Sequence, residues 1–525
     1  MSNKNAAERP NIIIFNPDQY RGDVLGHLGN EAAYTPNLDQ LVESDGVSFS
    51  NAFCQNPVCT PSRCSFMTGW YPHTAGHRTM YHMLHPERGE PNLLQTLMRN
   101  NYYVWWGGKN DLFPGQDGHY AFCNKYTLGI PNLAKNVKQI YQQYKKVPKN
   151  WRGEPGGDNY YSFMMGKQQT DDNKEFYTHD TAVIEAACKF IKKRKTSSKP
   201  FCVYLPISFP HPPYIVDEKY YNLINKELIS KKIQAPEDPS DFPMILQGIR
   251  ERQNMSDWSD DQWSELRAVY YGMCAKVDDY FGRLINTLKA SGQYDNTLIL
   301  FISDHGDFTG DYGLVEKNQN TFQDSITRVP FIVKPPSGKK CKPKTSGALV
   351  ELVDMCATIY DYANIEPNYI HFGKSLRPLI QGDCNTHRKA VFCEGGRLMA
   401  EKQAMDLGSS STGNPTGLYY PRVSLQITDE KPYHGKAVMC RTDTHKYVKR
   451  LYEKDELYDL IKDPFEQKNI IDDSANAHLL DDFNKLISDW YLETGDFVPP
   501  ISDKRYFKPS IYQWLKNLLI RRRKW

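Results

Sequence analysis

The chain has 525 residues, too many for one ordinary hydrophobic core, so a large domain with a smaller companion is expected. A formal net charge of +3 gives no bulk electrostatic reason to bind nucleic acid, and the apolar runs are far shorter than a transmembrane segment. Twelve cysteines lie scattered without paired or zinc-site spacing, and residues 1–10 are polar with no apolar signal core, so a reducing, cytoplasmic location without a disulfide framework is expected.

Residues 11–16 read as a buried parallel strand, because Ile12, Ile13, Ile14 and Phe15 run without alternation. Asp18 and Gln19 follow just past its end. Ligands of open α/β sheets gather beyond the carboxyl ends of strands, so Asp18 stands where a metal site would be; taken alone it is also an ordinary turn residue. Residues 35–41 start a helix, and 46–53 lead into Pro57-Val58-Cys59-Thr60-Pro61-Ser62-Arg63. Proline is favoured in a first helical turn, which puts Cys59 at or just before a helix start. Free N–H groups and the positive end of the dipole would then face whatever Cys59 holds, and Arg63 adds a fixed cation. The plainer reading of Cys59 is a small buried apolar residue.

Residues 71–85 carry His73, His77, His82 and His85 without zinc-helix spacing and read as a loop rimming the site, with His82 the one expected to touch substrate. A helix over 92–100 precedes a strand over 102–106, whose end is Gly107-Gly108-Lys109. Residues 113–178 form a long polar insertion, expected to be a lid or binding wall. A helix over 178–194 and a strand over 201–207 lead to His211, held between prolines and so rigidly aimed. Residues 217–260 are charged and irregular, a second candidate wall. The periodicity of 263–290 predicts the clearest helix, and 297–303 is a fourth buried strand running into Asp304-His305-Gly306-Asp307. Four strand ends thus deliver Asp18, Lys109, His211 and Asp304. Lys317 follows in a loop, and 329–333 is a further strand.

The texture changes around 381–388, which divides the chain into 1–385 and 386–525. In the second part, 390–393, 437–441, 446–452 and 456–459 predict a small, mostly antiparallel sheet, 407–417 a mobile loop and 477–492 an amphipathic helix. The tail, 511–525, pairs Trp514, Leu515, Leu518 and Leu519 with Arg521, Arg522, Arg523 and Lys524. It reads as a docked terminal helix, a homo-oligomer contact or an anionic-surface binder.

Cys59-x-Pro61-Ser62-Arg63, with the apolar pair Phe66-Met67 and then Thr68-Gly69, resembles the signature of the type I sulfatases in the alkaline phosphatase superfamily. Arg441-Thr442-Asp443, Lys446-Tyr447-Val448 and Glu456-Leu457-Tyr458-Asp459-Leu460 resemble their C-terminal segment. The resemblance implies an α/β fold with a large, mostly parallel central sheet flanked by helices, and a smaller C-terminal α+β subdomain. It implies hydrolysis of sulfate monoesters of small molecules or saccharides, with Cys59 oxidised by a formylglycine-generating enzyme to an aldehyde whose hydrate is the nucleophile. Metal ligands then fall on Asp18, Gln19, Asp304 and His305 with the modified Cys59; Arg63 and Lys109 steady the hydrate; His211 and Lys317 meet the sulfate oxygens and leaving group. Asp18-Gln19 with Asp304-His305 is similar to the branch of choline sulfatases and phosphonate monoester hydrolases. The family implies calcium, while a nitrogen ligand in His305 leaves manganese open. Lys109-Asn110-Asp111 departs from the family's usual Lys-x-His. A phosphonate or phosphate ester hydrolase using the same nucleophile, and a non-catalytic scaffold, are the competing readings.

Overall fold

The computed structural model describes residues 9–85, 88–115, 121–127, 150–169, 176–194, 199–342, 344–408, 413–428 and 430–498. The tail at 511–525, expected to be a terminal helix, and much of the 113–178 insertion lie outside these residues.

The strands are β1 (Asn11–Asp18), β2 (Val47–Phe53), β3 (Tyr103–Gly107), β4 (Lys125–Thr127), β5 (Met164–Gln168), β6 (Phe201–Pro210), β7 (Tyr214–Asp217), β8 (Thr297–Ile302), β9 (Phe331–Lys334) and β10 (Lys344–Glu351), then β11 (Val391–Gly395), β12 (Ala437–Arg441), β13 (His445–Arg450) and β14 (Glu456–Asp459). The longer helices are α1 (Pro36–Ser44), α2 (Cys59–Thr68), α3 (Leu93–Arg99), α4 (His179–Lys193), α5 (Met244–Gln253), α6 (Asp260–Ala290), α7 (Asp354–Ala363), α8 (Tyr420–Gln426) and α9 (Ala477–Thr494).

Eight strands form one sheet in the order β10-β2-β9-β8-β1-β6-β3-β4. β1 sits in the middle, parallel to both β6 and β8. Its continuous apolar run follows from that place: Ile12 and Ile14 enter the core on one face, Ile13 and Phe15 the core on the other. The second of these cores takes the apolar stripe of α6, whose start is closed by a capping box between Ser259 and Gln262. β9 runs antiparallel to its neighbours β2 and β8, so the sheet is mixed. A short apolar strand looks the same in either direction, which is why its orientation escaped the pattern.

β10 and α5 are among the elements additional to the sequence reading. β10 pairs with β2 at the sheet edge and begins with polar, partly exposed residues, so it lacks the apolar run that marks its neighbours. The stretch 217–260, expected to be irregular, holds helix α5, which buries Ile245, Leu246 and Ile249 against Phe308 and Tyr312.

The second sheet is antiparallel in the order β11-β12-β13-β14 and is covered by α9, whose Phe483, Ile487 and Trp490 pack on it. It also braces the large sheet's loops. Lys446 on β13 donates to the Phe322 carbonyl and to Asp324, and Arg450 to the Asn320 carbonyl, which steadies the segment just after Lys317. Residues 409–412 lie outside the described set. The following carbonyls of Pro415 and Thr416 accept bonds from Tyr161, Tyr160 and Arg152, so this part of the expected mobile loop is tied to the insertion. Among the described residues no helix is long and apolar enough to cross a membrane.

Candidate active site

The carboxyl ends of the central strands converge on the start of α2. β1 delivers Asp18, β8 delivers Asp304 and His305, β3 delivers Lys109 and β6 delivers His211. Cys59 is the first residue of α2, with Val58 extended before it, as the proline two residues on demands. Lys109 owes its position to Gly108, whose φ of +116° lies in the glycine region; a Cβ there would sit 2.3 Å from the Pro206 carbonyl oxygen. That close approach lets the Lys109 backbone N–H donate to the same carbonyl at 2.8 Å.

Asp18, Cys59, Asp304 and His305 bring one ligand atom each within 4.8 Å of one another, all buried. Cys59 Sγ lies 3.2 Å from His305 Nε2 and 3.6 Å from Asp18 Oδ1. His305 Nδ1 donates to the Gly306 carbonyl at 2.9 Å, which fixes the tautomer and leaves the Nε2 lone pair for the cluster. Burial lowers the His305 pKa and keeps it a neutral ligand. Two buried carboxylates, a correctly oriented imidazole and residue 59 form a donor set that suits a divalent cation.

Cations surround this group. Arg63 donates through Nε to Asp304 Oδ2 at 2.9 Å and through Nη2 to Asp18 Oδ2 at 2.8 Å. Lys109 Nζ reaches Asp18 Oδ2 at 2.6 Å and lies 3.9 Å from Cys59 Sγ. The family model described as Sulfatase matches residues 10–365, which contain every one of these side chains. The chain belongs to the sulfatase family.

Its relatives agree. The chain is 28% identical over 416 residues to an arylsulfatase of Clostridium perfringens, covering 74% of this chain and 81% of that protein. It is 25% identical over 531 residues to a choline-sulfatase of Rhizobium meliloti, covering 97% and 92%. Among solved structures, the phosphonate monoester hydrolase of Agrobacterium radiobacter superposes with a TM-score of 0.70 at 22% identity, covering 91% of this chain and 95% of that one, a likeness of fold. This sulfatase is therefore a sulfuric ester hydrolase with the alkaline-phosphatase-like α/β architecture, and its family implies a divalent metal and a formylglycine.

Burial alone would raise the Asp18 pKa, but Lys109, His211, Arg63 and Lys317 overcome it and hold the carboxyl well below the usual range. Burial, with Asp18 beside it, pushes the Cys59 thiol well up, so the unmodified residue is a protonated thiol and a poor nucleophile. Burial opposes the charge on Lys317, yet Cys59, Glu316 and Asp18 raise its pKa and keep it an ammonium. His211 goes the other way: burial, then Lys317 and Lys109, push it well below 6.5. Its Nδ1 donates to the Pro212 carbonyl at 2.6 Å, so in the free sulfatase His211 is neutral with Nε2 left as an acceptor.

Two predicted site residues have side-chain partners outside the four-residue cluster. Gln19 stands beside the metal cluster, with its backbone N–H on Asp304 Oδ1 at 3.1 Å, but its side-chain Oε1 accepts from Lys317 Nζ at 2.8 Å and its amide nitrogen donates to Asp307. His82 is turned to Thr79, its Nδ1 lying 2.6 Å from Thr79 Oγ1, and the cavity wall from that segment is made by Met80, Tyr81 and Met83 instead. The cavity holds about 410 Å³, and Cys59, Lys109, His211 and Lys317 are in its lining.

Several functional neighbours escaped the sequence reading. Asp307 binds Gln19, Tyr214 and Thr309 and so locks the Gln19 amide. Asp111 pairs with Lys109 at 3.0 Å where the family's histidine would stand. Glu316 pairs with Lys317 at 2.9 Å, and Asp406, Tyr419 and Arg422 arrive from the C-terminal part to close the cavity. The Asp-His-Gly-Asp run was a signal for Asp307 and the Lys109-Asn110-Asp111 run for Asp111; nothing local marked the others.

Proposed function

We propose that the protein hydrolyses sulfate monoesters of small molecules or saccharides at residue 59, matured to formylglycine by a dedicated enzyme. The observation that supports this best is the position of Cys59: first residue of a buried helix, inside a ring of two carboxylates and an imidazole, with Arg63, Lys109 and Lys317 around it.

A sulfate ester resists attack because its oxygens repel nucleophiles, so the site must concentrate positive charge before chemistry begins. Lys109 and Lys317 line the cavity at Cys59 and meet the sulfate oxygens. Arg63 lies behind them, bonded to both carboxylates, and fixes Asp18 and Asp304 rather than touching substrate. Asp18, Asp304, His305 and residue 59 would hold a divalent ion, with Gln19 adjoining; bound there, it supplies Lewis-acid charge for the sulfate and lowers the pKa of the attacking hydroxyl. As formylglycine hydrate, residue 59 offers one hydroxyl to attack sulfur and a second whose deprotonation expels sulfate. Lys317, an ammonium in the cavity lining, donates to the leaving oxygen, while neutral His211 contributes a hydrogen-bonding face. The two carboxylates and one imidazole suit calcium or manganese, and His305 favours the latter.

The phosphonate monoester reading rests on the Asp18-Gln19 and Asp304-His305 pairs. Steady-state kcat/KM on matched aryl sulfate, phosphonate and phosphodiester substrates tests the choice. Sulfate preference is expected; phosphonate preference by orders of magnitude overturns it. Mass spectrometry of the Cys59 peptide from a host carrying the maturation enzyme is expected to show the aldehyde, and an intact thiol there speaks for a non-catalytic scaffold.

A further inference from the structure

The cavity that contains residue 59 is also lined by a cation that the sulfate chemistry does not use. Arg422 is the third residue of α8, a helix started by Pro421 and anchored by Leu425 against Gly248 of α5. Its side chain is 13% exposed and its guanidinium carbon lies 5.3 Å from the centroid of the Tyr419 ring. Its Nε is buried without a hydrogen-bond partner. That Nε forms an ion pair with Glu316 Oε2 at 3.6 Å, beyond hydrogen-bond reach, while Glu316 Oε1 pairs with Lys317 at 2.9 Å and the Arg422 charge also acts on Asp406. A stacked, mostly buried guanidinium with an untaken donor is costly unless a ligand supplies the acceptor.

The rest of the lining narrows that ligand. Lys109 and Lys317 line the cavity with Cys59, and Arg422 reaches the same cavity from the C-terminal part, with the Glu316 carboxylate between it and Lys317. Asp111 and Asp406 also line the cavity and can accept hydroxyl donors, and Tyr81 and Tyr419 offer ring faces. Cations contributed by both parts of the chain, with hydroxyl acceptors and aromatic rings in the same lining, match a hydroxylated ring carrying two anions. A cationic alcohol would meet Arg422 unfavourably.

We propose that Arg422 sets the specificity of this enzyme by binding a second anionic group, a carboxylate or a second sulfate, on a saccharide whose scissile sulfate lies at residue 59. The assignment rests on the sulfate-ester reading of the same cavity. A planar guanidinium fork binds either anion in bidentate fashion, and a hydrogen bond to a charged group of this kind carries about 10- to 100-fold in affinity.

The test compares wild type, Arg422→Gln and Arg422→Lys, all matured, on three esters: a monosulfated neutral saccharide, a monosulfated saccharide bearing a uronate, and a disulfated saccharide. Wild type is expected to favour at least one doubly anionic ester over the neutral one by about 10- to 100-fold in kcat/KM. Arg422→Gln is expected to bring that ratio near one, with Arg422→Lys between. The preferred ester decides between carboxylate and sulfate. Equal rates in wild type, a ratio unaltered by Arg422→Gln, or choline sulfate outrunning all three saccharides overturns the assignment. Calorimetric binding of the desulfated uronate saccharide separates the two readings. Binding that weakens in Arg422→Gln, without turnover of any ester, would sink sulfate hydrolysis and keep the anion site; turnover with an unchanged ratio would sink the anion site alone.

Discussion

Arg63→Met removes a charge while keeping much of the apolar stem, and so isolates what the guanidinium does for the cluster. Arg63 is fully buried and reaches Asp304 Oδ2 at 2.9 Å and Asp18 Oδ2 at 2.8 Å. Removing one partner of a buried ion pair costs about 3–5 kcal/mol, because a charge is left without compensation. Asp18 keeps Lys109 at 2.6 Å, so the loss falls mainly on Asp304, and one increment of about 3–5 kcal/mol is expected rather than two. Urea unfolding followed by circular dichroism, in chelator, measures it. A divalent ion bound to Asp18 and Asp304 takes over part of the compensation, so the gap between wild type and variant should narrow when the ion is restored. A loss below about 1 kcal/mol in chelator, the range of a surface ion pair, or a gap unmoved by the ion, would refute the reasoning.

Cys59→Ala should lower kcat on an aryl sulfate by on the order of 10³-fold or more with the fold intact by circular dichroism; comparable turnover by the alanine variant would remove residue 59 from the chemistry. Because burial and two lysines depress His211, no activity inflection attributable to it is expected between pH 6 and 8. His211→Gln should lower kcat with the profile's shape kept, and a wild-type inflection near pH 6.5 that this variant abolishes would count against a neutral His211. Gly108→Val should cost about 1–3 kcal/mol of backbone strain and also lower kcat by displacing Lys109, whereas wild-type kinetics would show that Lys109 is not held this way. His434 is buried with both ring nitrogens unpartnered, and burial, then Arg397 and Arg422, lower its pKa to about 3. Between pH 6.5 and about 3 the unfolded chain takes a proton that the folded one refuses, so stability falls as pH falls through that window. His434→Phe should flatten this slope in a series of unfolding midpoints, and an unchanged slope would refute it.

The frame of the site was written locally. A strand buried on both faces must be apolar throughout, so β1, β3, β6 and β8 announced themselves, and the polar residues at or beyond their ends, Asp18, Lys109, His211 and Asp304, could only lie at one rim of the sheet. Pro61 likewise set the start of α2, because a proline is tolerated in the first turn and not later. What required the tertiary structure were relations between groups far apart in the chain. Whether Gln19 faces a metal or Lys317 depends on Asp307, 288 residues away, and whether His82 faces the cavity depends on a hydroxyl that outcompetes it. β10 was hidden because an edge strand may be polar, and β9's direction because an apolar run carries no arrow. Arg422 had no local mark at all: an arginine on a short helix acquires meaning only when packing denies it solvent and leaves its Nε without a hydrogen bond beside a cavity. Sequence determines which groups a strand end or helix start can present; only the packed chain decides which of them face one another, since that balance is struck between neighbours in space.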